Sequence, residues 1–171
     1  MAAKLKVDQL ETVDGTGNIT VNNQLTGLTS ASMPTGSVLQ VVQAHSTLRT
    51  VLSTSTYTNI SLSASITPSS TSSKILIIAD LAFNVLGGAG FPDAQILGDG
   101  SSLKTYPYIS GWTGLTGTVR MRATPSLKYI DSPSTTSSVT YSVQGKENNS
   151  DTIEWQDGNQ VSTITLMEIA G

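Results

Sequence analysis

Asn59-Ile60-Ser61-Leu62-Ser63-Ala64-Ser65-Ile66 alternates polar and apolar side chains without a break. Successive side chains of an extended chain point to opposite sides. Ile60, Leu62, Ala64 and Ile66 therefore share one face, and Asn59, Ser61, Ser63 and Ser65 the other. This is the pattern of a strand with one dry and one wet face. The next apolar run, 74–85, reads differently: Ile75, Leu76, Ile77, Ile78, Ala79, Leu81, Ala82, Phe83 and Val85 occupy both faces. A strand that is apolar on both sides is buried on both sides. In a two-sheet sandwich one side of each sheet meets water, so the second apolar face points to a neighbouring subunit, with a helical reading of the run as the alternative.

Further strands are expected at 38–42, 93–97, 103–109, 116–123, 127–130, 139–143, 153–156 and 161–169. Turn signals separate them at Gly87-Gly88, Gly98-Asp99-Gly100, Gly111, Gly145 and Asp157-Gly158-Asn159. Many short strands at this spacing predict an all-β sandwich or jelly roll. No stretch carries a sustained helical stripe. One internal echo supports the layout: Thr67-Pro68-Ser69-Ser70-Thr71-Ser72-Ser73 and Ser132-Pro133-Ser134-Thr135-Thr136-Ser137-Ser138 lie 65 residues apart, each just ahead of a strand. Proline ends the preceding ladder and the hydroxyls cap backbone groups through the turn.

Ahead of this domain, residues 1–36 hold only scattered apolar side chains, with Leu5, Val7 and Leu10 followed by an alternating Ile19 and Val21. Such a segment cannot close a core alone and is expected to order against a partner. Met33-Pro34-Thr35-Gly36-Ser37 reads as the hinge to the domain, residues 37–171.

Composition agrees with a β surface. Of 171 residues, 24 are Ser and 24 are Thr, and only 12% are charged. Thr, Val and Ile suit strands, whereas Ser, Gly and Asn are poor helix formers. A net charge of −3 lacks the Lys and Arg clusters that nucleic acid requires. The absence of cysteine removes disulfides, thiolate nucleophiles and zinc–cysteine sites. The start, Met1-Ala2-Ala3-Lys4, leads into no apolar signal segment. No run is long enough to span a bilayer, so no membrane insertion is expected.

Catalytic patterns are sparse. His45 is the sole histidine and has no carboxylate close in sequence. Nucleophile elbows and phosphate loops are absent, and no cofactor or metal is expected. The acids Asp93, Asp99, Glu147, Asp151, Glu154 and Asp157 leave paired-carboxylate glycan cleavage as a rival reading. The more informative side chains are aromatic. Tyr106, Tyr108 and Trp112 lie within one short stretch, and Tyr106 and Tyr108 share a face if it is extended; Trp155 is the other tryptophan. These four are candidate receptor or glycan contacts, since aromatic rings stack on sugars and anchor interfaces.

Several segments together resemble fibre and spike proteins of tailed bacteriophages. Leu5-Lys6-Val7-Asp8-Gln9-Leu10 and Asp14-Gly15-Thr16-Gly17-Asn18-Ile19-Thr20-Val21 are similar to their amino-terminal arm. Met33-Pro34-Thr35-Gly36-Ser37-Val38-Leu39-Gln40-Val41-Val42 resembles the joint to their distal domain. Ile66-Thr67-Pro68-Ser69-Ser70-Thr71-Ser72-Ser73-Lys74-Ile75-Leu76-Ile77, Tyr129-Ile130-Asp131-Ser132-Pro133-Ser134-Thr135-Thr136 and the end, Ser162-Thr163-Ile164-Thr165-Leu166-Met167-Glu168-Ile169-Ala170, resemble segments of that domain. The resemblance implies a non-enzymatic homotrimer on the virion surface, made in the host cytoplasm. Its distal domain would be a jelly roll similar to tumour-necrosis-factor-like trimers. The three arms would twine together or dock onto the particle, with Leu5, Val7, Leu10, Ile19 and Val21 as the candidate attachment to other virion proteins. Ile75, Ile77, Leu81 and Phe83 would face the threefold axis, and the aromatic stretch would meet host glycan. The chain has no long shaft, which leaves tail fibre, short tail spike and head decoration as alternatives.

Overall fold

The computed structural model describes residues 33–87, 90–110, 120–149 and 151–171. The candidate arm residues Leu5, Val7, Leu10, Ile19 and Val21, and the candidate contact Trp112, lie outside the described residues. Among those described there is no helix, and twelve strands form three antiparallel sheets.

The first sheet has the order β1 (Val38–Ser46), β12 (Ser162–Ile169), β4 (Lys74–Asp80), β9 (Ser126–Asp131). The second runs β3 (Thr58–Ile66), β10 (Val139–Glu147), β6 (Pro92–Gly98), β7 (Ser101–Tyr106). The third runs β2 (Thr50–Leu52), β11 (Thr152–Trp155), β5 (Phe83–Leu86), β8 (Arg120–Ala123). The second and third sheets share one order. Joining β2 with β3, β5 with β6, β7 with β8 and β10 with β11 gives one broken four-stranded layer. That layer faces the first sheet, which is the eight-stranded jelly-roll arrangement expected from sequence.

The alternating stretch behaves as read. Ile60, Leu62, Ala64 and Ile66 on β3 point inward and are buried, while Asn59, Ser61, Ser63 and Ser65 are exposed. Ser61 adopts a φ of 62° and donates its backbone N–H to Asn59 Oδ1 at 2.6 Å. The β3–β10 register slips beside it, between Val143 and Gln144. This bulge re-aims the strand without exposing its apolar side.

The two-sided strand β4 requires a correction. Ile75 and Ile77 are fully buried in the chain's own core, as are Leu81 and Phe83 just beyond the strand. None of these four side chains is available as a subunit contact. The period of two sends 75, 77 and 79 inward, so the outward positions are Leu76 and Ile78, which are half-buried. The reading of two apolar faces stands, but the outward face has the opposite parity to the residues expected there. Leu81 and Phe83 leave the register because β4 ends at Asp80, and the Leu81 N–H bonds to Pro125 O at 2.9 Å.

The Pro-Ser-Thr loop ahead of β4 is fixed by a buried carboxylate. Glu168 receives Ser69 N at 2.7 Å, Ser69 Oγ at 2.6 Å, Ser73 Oγ at 2.7 Å and Gln40 Nε2 at 2.6 Å. Burial opposes its charge, yet the donors from Ser69, Ser73 and Gln40 outweigh that and hold its pKa below the ordinary carboxylate value. Gly36 N–H bonds to Ala170 O, and Ala170 N–H to Ser37 O, each at 2.8 Å, so the joint and the carboxyl-terminal strand are tied together.

Candidate functional site

The second sheet ends in an aromatic cluster assembled from four separate segments. The register sets Gly145 beside Thr58 and Ala94, Lys146 beside Asp93, and Ala94 beside Tyr106. Tyr57, Phe91, Asn148 and Tyr108 follow at the adjoining strand ends, so residues far apart in sequence converge on one edge of the sandwich.

Asp93 is the hub. Its carboxylate is buried, accepts the Tyr108 backbone N–H at 2.9 Å and Asn148 Nδ2 at 2.8 Å, and pairs with Lys146 Nζ at 3.2 Å. Asn148 Nδ2 also reaches Phe91 O at 2.8 Å. Lys146 Nζ lies 5.0 Å from the centre of the Tyr57 ring, a cation–π distance. Burial, with the Asp93 charge next in effect, raises the Tyr57 phenol pKa. The Phe91 N–H is held by Glu147 Oε1 at 3.0 Å, and the same oxygen takes Asn149 N–H at 2.8 Å.

The tip of this cluster is Tyr108. It is 67% exposed and its ring meets Phe91 edge-on at 5.9 Å and 88°. Its φ of 52° places it in the left-handed region, which is uncommon for a side chain of this size. The Asp93 hydrogen bond holds it there. A strained residue over-determined by its surroundings is a frequent feature of binding surfaces. Chemically, the edge offers an apolar ring flanked by an amide and an ammonium, a combination suited to stacking on a sugar ring and hydrogen bonding its hydroxyls.

The other expected contacts fall elsewhere. Tyr106 does not share a face with Tyr108: β7 stops at Tyr106, Pro107 cannot continue the ladder, and the left-handed Tyr108 breaks the two-residue period. Tyr106 instead packs on the core and donates its hydroxyl to Lys128 O at 2.6 Å, linking the layers. Trp155 is fully buried, 4.8 Å from Phe83 at an interplanar angle of 53°. A Cβ on Gly145 would lie 2.4 Å from the Trp155 ring, so glycine there makes room for the indole. Trp155 is a core residue and not a surface contact. Tyr57, Phe91, Lys146 and Asn148 escaped the sequence reading, because each ring stands alone in its segment and only the register joins them.

The acids of the glycan-cleavage reading separate into distinct structural jobs. Glu154 and Asp157 are bridged by two arginines. Arg49 pairs with Glu154 and, at 2.9 Å, with Asp157. Arg120 pairs with them at 3.1 and 2.7 Å. Asp99 accepts Thr140 N–H at 2.8 Å and closes the β6–β7 turn. Among the described residues, no group of three or more His, Asp and Glu stands ready for a metal ion.

No protein-family model matches the chain, and no curated protein matches it. Solved structures resemble it only in shape. The infectious bursal disease virus Gx strain structure is 13% identical with a TM-score of 0.35, over 90% of this chain and 43% of that one. The Gt strain structure is 15% identical with a TM-score of 0.34, over 80% and 37%. Dimeric latent PorU from Porphyromonas gingivalis is 8% identical with a TM-score of 0.33, over 86% and 14%. The chain thus spans less than half the length of these structures, and at such identities the likeness assigns a role to no residue.

Proposed function

We propose that this chain is a non-enzymatic structural protein of a virus particle, a homotrimer of the phage fibre or spike type that contributes to host-surface adsorption. Residues 1–36 attach it to the particle and the sandwich is displayed outward, its aromatic edge toward host glycan. The observation that carries the adsorption role is Tyr108, exposed and pinned in a left-handed conformation by buried Asp93. The segments resembling fibre and spike proteins support the particle role, and the outward apolar positions of β4 support association. Three weak sites on one rigid trimer would bind by avidity, so a modest loss per site is multiplied.

Tyr108→Ala is expected to lower adsorption to host cells about tenfold or more while leaving the melting temperature unchanged. Unchanged adsorption would remove this edge from the binding role. Incubation with host polysaccharide is expected to release no oligosaccharide, and release would favour a depolymerase. Imaging of particles labelled through this chain separates tail from head placement.

A further inference from the structure

Among the described residues, the exposed aliphatic side chains of the sandwich gather in two separate places. The first is the outward face of the β1-β12-β4-β9 sheet. The register aligns Val41, Met167, Leu76 and Ile130 in one row across all four strands. Val41 and Ile130, at its ends, are 56% and 57% exposed, and Val38, close to Val41 on β1, is 50% exposed. Charge is confined to the rim, at Lys74, Lys128 and Asp80, and the central strand β12 presents only Thr163, Thr165, Met167 and Ile169 outward. An uncharged apolar centre with a charged rim is the anatomy of a protein interface. The second place is the far end of β1. Leu48 and Val161, 65% and 47% exposed, flank the Ser46–Ser162 pair that ends the β1–β12 ladder. Val51, 46% exposed, follows on β2.

We propose that the Val41–Ile130 row is covered by a second copy of this chain, docked head to tail through its Leu48–Val161 knob. This deepens the homotrimer reading and rests on it. A closed threefold ring contains only heterologous contacts, so every chain must offer two different patches, one to each neighbour. Among the described residues, the exposed aliphatics beyond the chain's joint divide into two such patches. Size argues the same way. Four strands about 4.8 Å apart and about seven residues at 3.3 Å give a face of roughly 450 Å². That is small against the roughly 800 Å² per partner of a standard two-body interface. In a ring each chain buries both its face and its knob, and the two contacts close cooperatively.

The test uses the full chain with Leu48→Asp and Ile130→Asp, both at exposed positions, with circular dichroism to confirm the fold. By size-exclusion chromatography with light scattering at micromolar concentration, wild type should be a trimer and each variant a monomer. An equimolar mixture of the variants should give a heterodimer, because the intact knob of one fits the intact face of the other and the ring cannot close. If Leu48→Asp still self-associates, the contact is face to face and the head-to-tail assignment fails. If both variants stay trimeric, the interface lies elsewhere and this inference fails while the trimer stands. If wild type is a monomer, the trimer itself fails. Should an aspartate variant unfold, Leu48→Ser and Ile130→Thr must each raise the dissociation concentration at least tenfold, and an unchanged value overturns the proposal.

Discussion

Two outward sheet surfaces of this protein solve the same problem in opposite ways. On the β2-β11-β5-β8 sheet the outward row is Val51, Glu154, Asn84 and Arg122. Glu154 and Asn84 point away from the core yet are buried, because Arg49, Arg120 and Asp157 close over them in a ring of ion pairs. On the β1-β12-β4-β9 sheet the outward row is Val41, Met167, Leu76 and Ile130, with no charge in it and, among the described residues, Val41 and Ile130 left exposed at its ends. One face is completed within the chain by polar groups; the other is left apolar. A sheet that carries its own charged cover needs no partner, whereas an apolar one gains from burial in proportion to the area it loses to water.

The sharpest way to separate inward from outward on β4 is to truncate neighbours. Ile77→Ala should cost about 2–5 kcal/mol in urea unfolding, as expected for a fully buried aliphatic. Ile78→Ala, one position along, should cost less than about 1 kcal/mol in the dissociated chain. Equal costs would mean that the parity assigned to the strand is wrong.

The charged cover is next. Glu154→Gln keeps the shape of the side chain and removes the charge that holds Arg49 and Arg120. A melting temperature lower by roughly 4–8 °C is expected, since the two arginine donors lose the charged acceptor that they share. No change would show that the ring is surface decoration.

Glu168 gives a pH-dependent effect of about 1.5–3 kcal/mol, the range for hydrogen bonds to a charged group. Its folded pKa is lowered, so its contribution is present above the unfolded carboxylate pKa and lost as pH falls through the folded one. The melting-temperature gap between wild type and Glu168→Gln should therefore be widest near neutral pH and close in acid. A gap that persists at low pH would mean that the ionised carboxylate is not what holds the Ser69–Ser73 loop.

The smallest effect is expected at Val41→Thr, within about 0.5 kcal/mol for the unfolding of the dissociated chain. A large loss there would show that the outward row is part of the chain's own core.

Much of the fold could be read from residues. Strict alternation at 59–66 fixed both the strand and its inward face, because the two-residue period admits no other arrangement. The apolar excess of 74–85 announced a second face, but not which residues lay on it. The decision hangs on one residue of register, and Leu76 and Ile75 are chemically alike. The aromatic edge was legible only in Tyr108. Proximity in sequence grouped it with Tyr106, yet a proline and a left-handed residue turn the Tyr106 ring onto the core and leave the Tyr108 ring exposed. Trp155 invited a surface reading because its neighbours Glu154 and Gln156 are polar, although both are themselves buried.

The sequence by itself determined the class. Short alternating strands, hydroxyl-rich turns and the lack of a helical stripe leave an antiparallel β-sandwich as the way to bury these side chains. Only the tertiary structure decided the sites. The edge around Asp93 joins Tyr57, Phe91, Tyr108, Lys146 and Asn148 through the pairing of β3, β10, β6 and β7. Those strands are far apart along the chain, and hydrogen-bond register across a sheet is a non-local quantity. Local pattern fixes which side of its own strand a residue takes, but its neighbours are chosen by the strand laid beside it.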